Sequence, residues 1–366
     1  MMTQRNSEPP KPPPSAMNVL VTGGAGYLGS VLIPKLLARG HHVRVLDVGY
    51  FGIGHLRAFQ PRIELIREDL RSVCLDPRLR DEVLDRCDCL IHLAAISNDP
   101  SAELNPKLTE EVNLLATESL AEGARRKGIR FVFSSSCSVY GDAEAPLDEE
   151  GILNPLTTYA VTKVKAERVL ADRTDGALTP IILRNGTLFG YSPRMRFDLV
   201  VNTFSLFSAL HNEIKVFGNG LQWRPFLHVS DCARAMVYFA EKDSVQYTCY
   251  NIAHENLRVI DLVEVFQALN PNLRVTFLEL PDQDRRNYCV STRRMGEEGF
   301  ETRMSVIMGA EQMVDAIVGG LIPDPESIFY RNAKWLKELT EIGSKTTKDV
   351  VELMERFAEV YLQARG

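Results

Sequence analysis

The sequence predicts an α/β fold: a doubly wound parallel sheet followed by a smaller α/β lobe. Three observations carry that reading. Short apolar runs alternate with helical patterns from Asn18 to Leu183, the rhythm of a parallel sheet covered on both faces. Residues 17–47 read as strand, glycine turn, helix and strand, with an acid at the tip of the second strand. From about Asn185 the rhythm changes to longer loops and shorter elements.

In order along the chain, the apolar run 18–21 ends at Thr22 and a glycine cluster. Gly23, Gly26 and Gly29 hold the three glycine places of a G-x-x-G-x-x-G turn. The first permits the tight turn and the second lets backbone approach a pyrophosphate. The third lets helix pack on strand, with the helix N-terminus facing the phosphate charge. Asp47 follows about 20 residues on, completing a Rossmann-type dinucleotide site. Its carboxylate accepts hydrogen bonds from both ribose hydroxyls and repels a 2′-phosphate, so the expected cofactor is NAD rather than NADP.

A third strand at 63–66 runs into Glu68, Asp69 and Leu70, where Asp69 is placed to meet the adenine. A helix is expected at 77–86, then a fourth strand at 89–93 running into Ala94, Ala95 and Ile96, small residues suited to the nicotinamide half. A long helix over 106–127 stops at Gly128. The fifth strand, 130–133, leads into SSSCSVYG at 134–141. A helix over 157–172 carries Tyr159 and Lys163, and 181–183 is the sixth strand.

Helices are expected next at 199–210, 230–241, 260–269 and 311–318, with strands at 214–217 and 274–277. The domain reading is a disordered Pro-rich tail (1–16), a nucleotide domain (17–184), a lobe that mainly binds substrate (185–322) and a C-terminal helical extension (323–366). That extension holds two amphipathic helical patterns to which the sequence assigns no chemical role.

Composition narrows the class. The 366 residues are 45% hydrophobic and 25% charged, ordinary for a globular chain, and the formal net charge of -6 gives no case for nucleic acid. No apolar run approaches a membrane span, and the N-terminus lacks an apolar signal core. Seven cysteines without a C-x-x-C pair read as reduced thiols, and no zinc spacing is present, so no metal site is expected. A cytoplasmic protein without a membrane partner is the expectation.

The chemistry centres on Tyr159 and Lys163, one helical turn apart on the same face. A free tyrosine is a poor base at neutral pH. A neighbouring ammonium and the charge of an oxidised nicotinamide both favour the phenolate. Such a tyrosine takes the proton from a sugar hydroxyl as hydride leaves the same carbon. Ser136, at the end of the serine-rich strand, is the candidate partner of the reacting oxygen.

Together TGGAGYLG, Asp47, HLAA, FSSSCSVYGD, YAVTK and RPFLHVSD resemble the extended short-chain dehydrogenase/reductase family acting on nucleotide sugars, nearest to UDP-galactose 4-epimerase and its relatives. The resemblance spans roughly residues 18–294. It implies NAD held by Gly23, Gly26, Tyr27, Leu28, Asp47, Asp69, Leu70, Leu93, Ala94, Ala95, Asn113, Ser134, Tyr159 and Lys163. It implies Tyr159 as base, Lys163 as its tuner and Ser136 as third member. Arg224 and one of Arg285 or Arg286 match substrate-phosphate arginines. It further implies a homodimer through the helices at 106–127 and 157–172.

Family 4,6-dehydratases carry an Asp-Glu pair where this chain has Cys137 and Ser138, and decarboxylases usually keep a glutamate at the second place. Without a carboxylic acid there, dehydration loses its acid and base. An NAD-dependent 4-epimerase of a UDP, GDP or dTDP sugar is the leading expectation, with a 4-dehydrogenase or 4-ketoreductase on the same residues as the alternative. A 4,6-dehydratase, a decarboxylase and an inactive NAD-binding sensor rank lower. Thr187 replaces the asparagine usual in the family's LRxFNxxG, and the basic stretch that follows is similar to one in GDP-heptose 4-dehydrogenases. Ser136, Ser138, Thr187, Arg194, Arg196, Asn202, Arg224 and Arg286 are the candidate substrate contacts, with Arg194 and Arg196 placed on the diphosphate.

Overall fold

The computed structural model describes residues 16–143, 145–174, 178–279 and 286–343. Most of the Pro-rich tail, the second amphipathic pattern of the extension and Arg285 lie outside the described residues. The apolar runs form β1 (Asn18–Thr22), β2 (His42–Leu46), β3 (Ile63–Ile66), β4 (Cys89–His92), β5 (Arg130–Ser136) and β6 (Ile181–Asn185). Later strands are β7 (Thr187–Phe189), β8 (Glu213–Phe217), β9 (Trp223–His228), β10 (Cys249–Ile252), β11 (Glu255–Arg258) and β12 (Arg274–Leu278).

The main sheet has seven strands in the order β10-β6-β5-β4-β1-β2-β3, all parallel. Alternation along each strand divides its side chains between the two faces. In β1, Val19 and Val21 pack on the side of the helices Gly29–Ala38 and Val229–Glu241, while Leu20 joins Leu90, Phe131 and Phe133 against Ala116–Lys127. Each fully buried side chain of this kind contributes about 1.5–3 kcal/mol. Strand order reverses between β1 and β4, so a crevice opens outside their carboxyl ends, where ligands bind in such sheets.

Three features differ from the sequence reading. β10 returns from the lobe to pair with β6, in the register Cys249↔Ile182 to Ile252↔Asn185, so the chain crosses the expected boundary at 184/185. β5 also continues through Ser134–Ser136, because these residues pair with Leu183–Asn185 and tertiary pairing overrides the weak strand preference of serine. The lobe holds the β11-β9-β7 and β12-β8 sheets around a core of Phe189, Phe204, Phe226 and Phe266. The expected long helix is interrupted by a π-helical turn, Glu111–Leu115, before Ala116–Lys127 ends at left-handed Gly128. Among the described residues no helix is long and apolar enough to cross a membrane.

Candidate active site

A cavity of about 310 Å³ occupies the crevice. Its floor is the glycine turn. Gly23 has φ +70°, and a Cβ there would stand 2.7 Å from the backbone of Ala94, so the β1 and β4 loops touch through it. A Cβ on Gly29 would meet the Gly24 backbone at 2.4–2.6 Å, so the helix packs directly on its own turn. Gly26, Tyr27, Leu28, Leu70, Leu93, Ala94 and Ala95 all line the cavity. The Tyr27 side chain faces the lobe: its hydroxyl donates to the Gly190 carbonyl at 2.5 Å and accepts from Asn202 at 3.1 Å.

Asp47 sits just past β2, its carboxylate accepting from the Ala25 amide at 2.9 Å and the Gly49 amide at 2.8 Å. Burial pushes its carboxyl above the usual range, against the pull of those two amides. Asp69 lines the cavity while capping the helix Leu70–Leu75 and pairing with Arg71 at 2.6 Å. Asn113 does not line the cavity. It clips the β4 loop to the catalytic helix, accepting from the Ile96 amide at 2.8 Å and donating to the Ile96 carbonyl and Thr162. Its neighbour Val112, on the same π turn, faces the cavity instead.

Thr157 caps the helix Thr158–Asp172 and so fixes Tyr159 and Lys163 at the cavity wall. Tyr159 hydrogen-bonds Ser136, bringing the expected pair together. Burial pushes the phenol up to about 12, Asp99 adds to that rise, and Ser136 and Arg196 oppose it. Lys163 is buried, donates to the Ser134 carbonyl at 2.8 Å and lies 5.8 Å from the Tyr159 ring centre. Its burial pushes the ammonium down to about 7. Arg196 is thus a cation that favours the phenolate, while Lys163 also spends a donor on the serine strand. Ser134 lines the cavity and accepts from Asn185 at 3.0 Å.

The substrate candidates separate into groups. Ser136, Ser138 and Thr187 line the cavity, and the Ser138 hydroxyl is buried without a hydrogen-bond partner among the described residues. Arg286 also lines it, paired with Asp99. Arg224 lies behind this wall: it donates to the Trp223 carbonyl at 2.7 Å and to the Arg286 carbonyl, with its guanidinium over Tyr288. Asn202 is fully buried, with its amide spent on Gly190, Tyr27 and Arg196, so it joins the glycine turn to the lobe rather than meeting substrate. Arg196 is held by both oxygens of Asp198 at 2.9 Å, and Arg194 lies toward Asp47, on the cofactor side of the cavity.

Sequence reasoning missed Asn98, Asp99, Phe51 and Asn332. Asn98 has φ +73°, caps the Ser101 amide at 3.0 Å and donates to Asp198 at 2.6 Å. This strained residue aims the loop into the site. Asp99 accepts from Thr157 at 2.5 Å and places a carboxylate beside Tyr159. Asn-Asp-Pro is a helix-start signature that could have flagged both. Asn332 has no such signal.

A Rossmann sheet, an acid after β2 and a Tyr-Lys-Ser group at the cavity wall define a dinucleotide-dependent enzyme of the short-chain dehydrogenase/reductase type. Residues 19–253 match the family model described as the NAD dependent epimerase/dehydratase family. UDP-glucuronic acid decarboxylase 1 of Arabidopsis thaliana is 30% identical over 326 residues, covering 85% of this chain and 72% of the relative. The structure of MoeE5 in complex with UDP-glucose and NAD is 29% identical with TM-score 0.71, covering 83% of this chain and 100% of that one. UDP-glucuronic acid 4-epimerase from Bacillus cereus, in complex with UDP-glucuronic acid and NAD, is 25% identical with TM-score 0.71, covering 84% and 100%. The chain belongs to the NAD-dependent epimerase/dehydratase family, and its cofactor is NAD.

The residues fit that cofactor. The glycine turn offers backbone and a helix N-terminus to the diphosphate, and Asp47 keeps lone pairs for ribose hydroxyls. The Nε of Arg194 is a buried donor with no partner among the described residues.

Proposed function

We propose that this chain is an NAD-dependent 4-epimerase of a uridine-diphosphate sugar, with UDP-glucuronate and UDP-glucose as first candidates. One observation carries the reading: Tyr159 and Ser136 are hydrogen-bonded in a cavity lined by Ser138, and the two places where dehydratases and decarboxylases carry acids hold this serine and the core residue Cys137. NAD, when bound, supplies a hydride acceptor and donor at the sugar carbon. Tyr159 takes the proton from the 4-hydroxyl and returns it to the same oxygen, while Ser136 holds that oxygen in line. Lys163 braces the serine strand through Ser134. The Ser138 hydroxyl serves the sugar as a donor.

Asp99 is the carboxylate nearest this group in the described site, and it is already engaged by Thr157 and Arg286. A carboxylate already committed to a hydroxyl and a guanidinium is spent on positioning, which ranks dehydration below both epimerisation and the 4-dehydrogenase alternative. The relatives named for UDP-glucuronic acid support a carboxylated sugar among the substrates. The test is incubation of the purified protein with UDP-glucuronate and UDP-glucose. An isomer of unchanged mass without accumulation of reduced nicotinamide supports the proposal. Release of carbon dioxide or water, or stoichiometric reduced nicotinamide, overturns it.

A further inference from the structure

Arg194 is a buried cation to which no carboxylate within ion-pair distance is seen among the described residues. It is 2% exposed and lines the cavity. Its guanidinium lies 3.8 Å from the centre of the Phe51 ring, one Nη donates to Asn332 Oδ1 at 2.6 Å and the other to the Met195 carbonyl at 3.2 Å. Its Nε has no partner. The two carboxylates that attract it are otherwise occupied: Asp198 by both arms of Arg196, and Asp47 by the Ala25 and Gly49 amides. Burying a charge in this way costs several kcal/mol unless an anion compensates it.

The group that holds Arg194 comes from the C-terminal extension. Asn332 begins the helix Asn332–Gly343 and touches three walls of the cavity. Its side chain accepts from Arg194 and donates to Ser97 at 3.4 Å, and its backbone amide donates to Asp198 at 3.3 Å. Three residues on, the buried Trp335 donates to the Tyr50 carbonyl at 2.6 Å and packs on Phe329. Leu336 reaches the cavity itself. The extension thus ties the loop after β2, which carries Tyr50 and Phe51, to the loop after β4 and to the Arg194–Asp198 segment.

We infer that Arg194 is a ligand of the NAD diphosphate, and that Asn332 and Trp335 form a clasp that sets the arginine and holds the cofactor as a resident group. The guanidinium matches a phosphate, and its buried, unpartnered Nε is held by a stacked ring and an amide rather than by a carboxylate that would neutralise it. The assignment moves Arg194 from the sugar side of the site to the cofactor side. It gives the extension a role in retaining NAD, which an enzyme that returns its hydride in every cycle requires. It rests on NAD binding alone, so it stands or falls separately from the choice of sugar reaction.

The test uses the full-length, NAD-loaded protein and reads release of NAD after gel filtration, together with displacement by ADP and by adenosine. In Arg194→Met the preference for ADP over adenosine falls by about 10- to 100-fold, the worth of a hydrogen bond to a charged group, while adenosine displacement is unchanged. Arg194→Lys, which keeps the charge in case the methionine variant does not fold, lowers the same preference by a smaller factor. Asn332→Ala accelerates NAD release by about 10-fold. Unchanged ADP-to-adenosine preference in both arginine variants, or equal loss of both ligands, overturns the diphosphate assignment. Unchanged release from Asn332→Ala overturns the clasp.

Discussion

Replacing Tyr159 by phenylalanine removes one oxygen from a site whose proton transfer rests on it. Burial holds this phenol at about 12 in the cofactor-free chain. At pH 7 the phenol is then almost wholly protonated. The charge of an oxidised nicotinamide lowers that value, and the deprotonated form is the active one. Turnover therefore rises toward tenfold per pH unit on the neutral to alkaline side, flattening at the pKa of the loaded site. Loss of a positioned base costs about 10²- to 10⁴-fold, or about 3–5 kcal/mol of barrier. The assay follows conversion at saturating substrate from about pH 6 to pH 9, with NAD content measured in the same samples. Tyr159→Phe should keep its NAD, lose the turnover and lose the pH slope. A variant within about tenfold of wild type, or one with the same slope, refutes the assignment of the base.

Other consequences follow from the same structure. Arg184 and Glu167, with side chains 7% and 6% exposed, pair at 2.8 Å beneath β5; Glu167→Ala leaves that arginine buried and unpaired and should cost about 3–5 kcal/mol in denaturant unfolding. Gly23→Ala forces a side chain to φ +70° and into the Ala94 backbone, so NAD affinity by titration should fall about tenfold or more. Burial raises the Asp198 carboxyl, but Arg196 outweighs it and holds the group below its ordinary 3.8. The stability this supplies is present above the unfolded pKa and is lost as pH falls through the folded one, so the wild type should weaken below about pH 4 while Asp198→Asn loses that acid-side slope. Leu115, 51% exposed at the end of the π turn, lies in the helix pair proposed as a dimer interface. Sedimentation should show a dimer that Leu115→Glu dissociates.

The parts of this molecule legible in the sequence are those where local chemistry and tertiary use agree. β1 to β6 are apolar runs between glycine or polar breaks, and Thr157, Tyr159 and Lys163 sit on a helix with its own cap. β10 was not legible as a sheet member, because Cys249–Ile252 is four residues long and finds its partner β6 only after the lobe has intervened. Ser134–Ser136 are polar and carry no strand signal, yet they extend β5 by pairing. The basic stretch suggests a diphosphate contact for Arg196, but nothing in the sequence shows that Asp198 holds its guanidinium. Arg194 and Asn332 meet across 138 residues, and no motif in either segment points to the other.

The central claim is that hydride leaves and returns to the same sugar carbon while NAD stays bound. UDP-glucuronate carrying deuterium at C4, incubated with the NAD-loaded enzyme and read by NMR, tests it most directly. The account predicts the C4 epimer with the deuterium still at C4 and none in free nicotinamide. Deuterium in released reduced nicotinamide, or a product that has lost carbon dioxide or water, would contradict it.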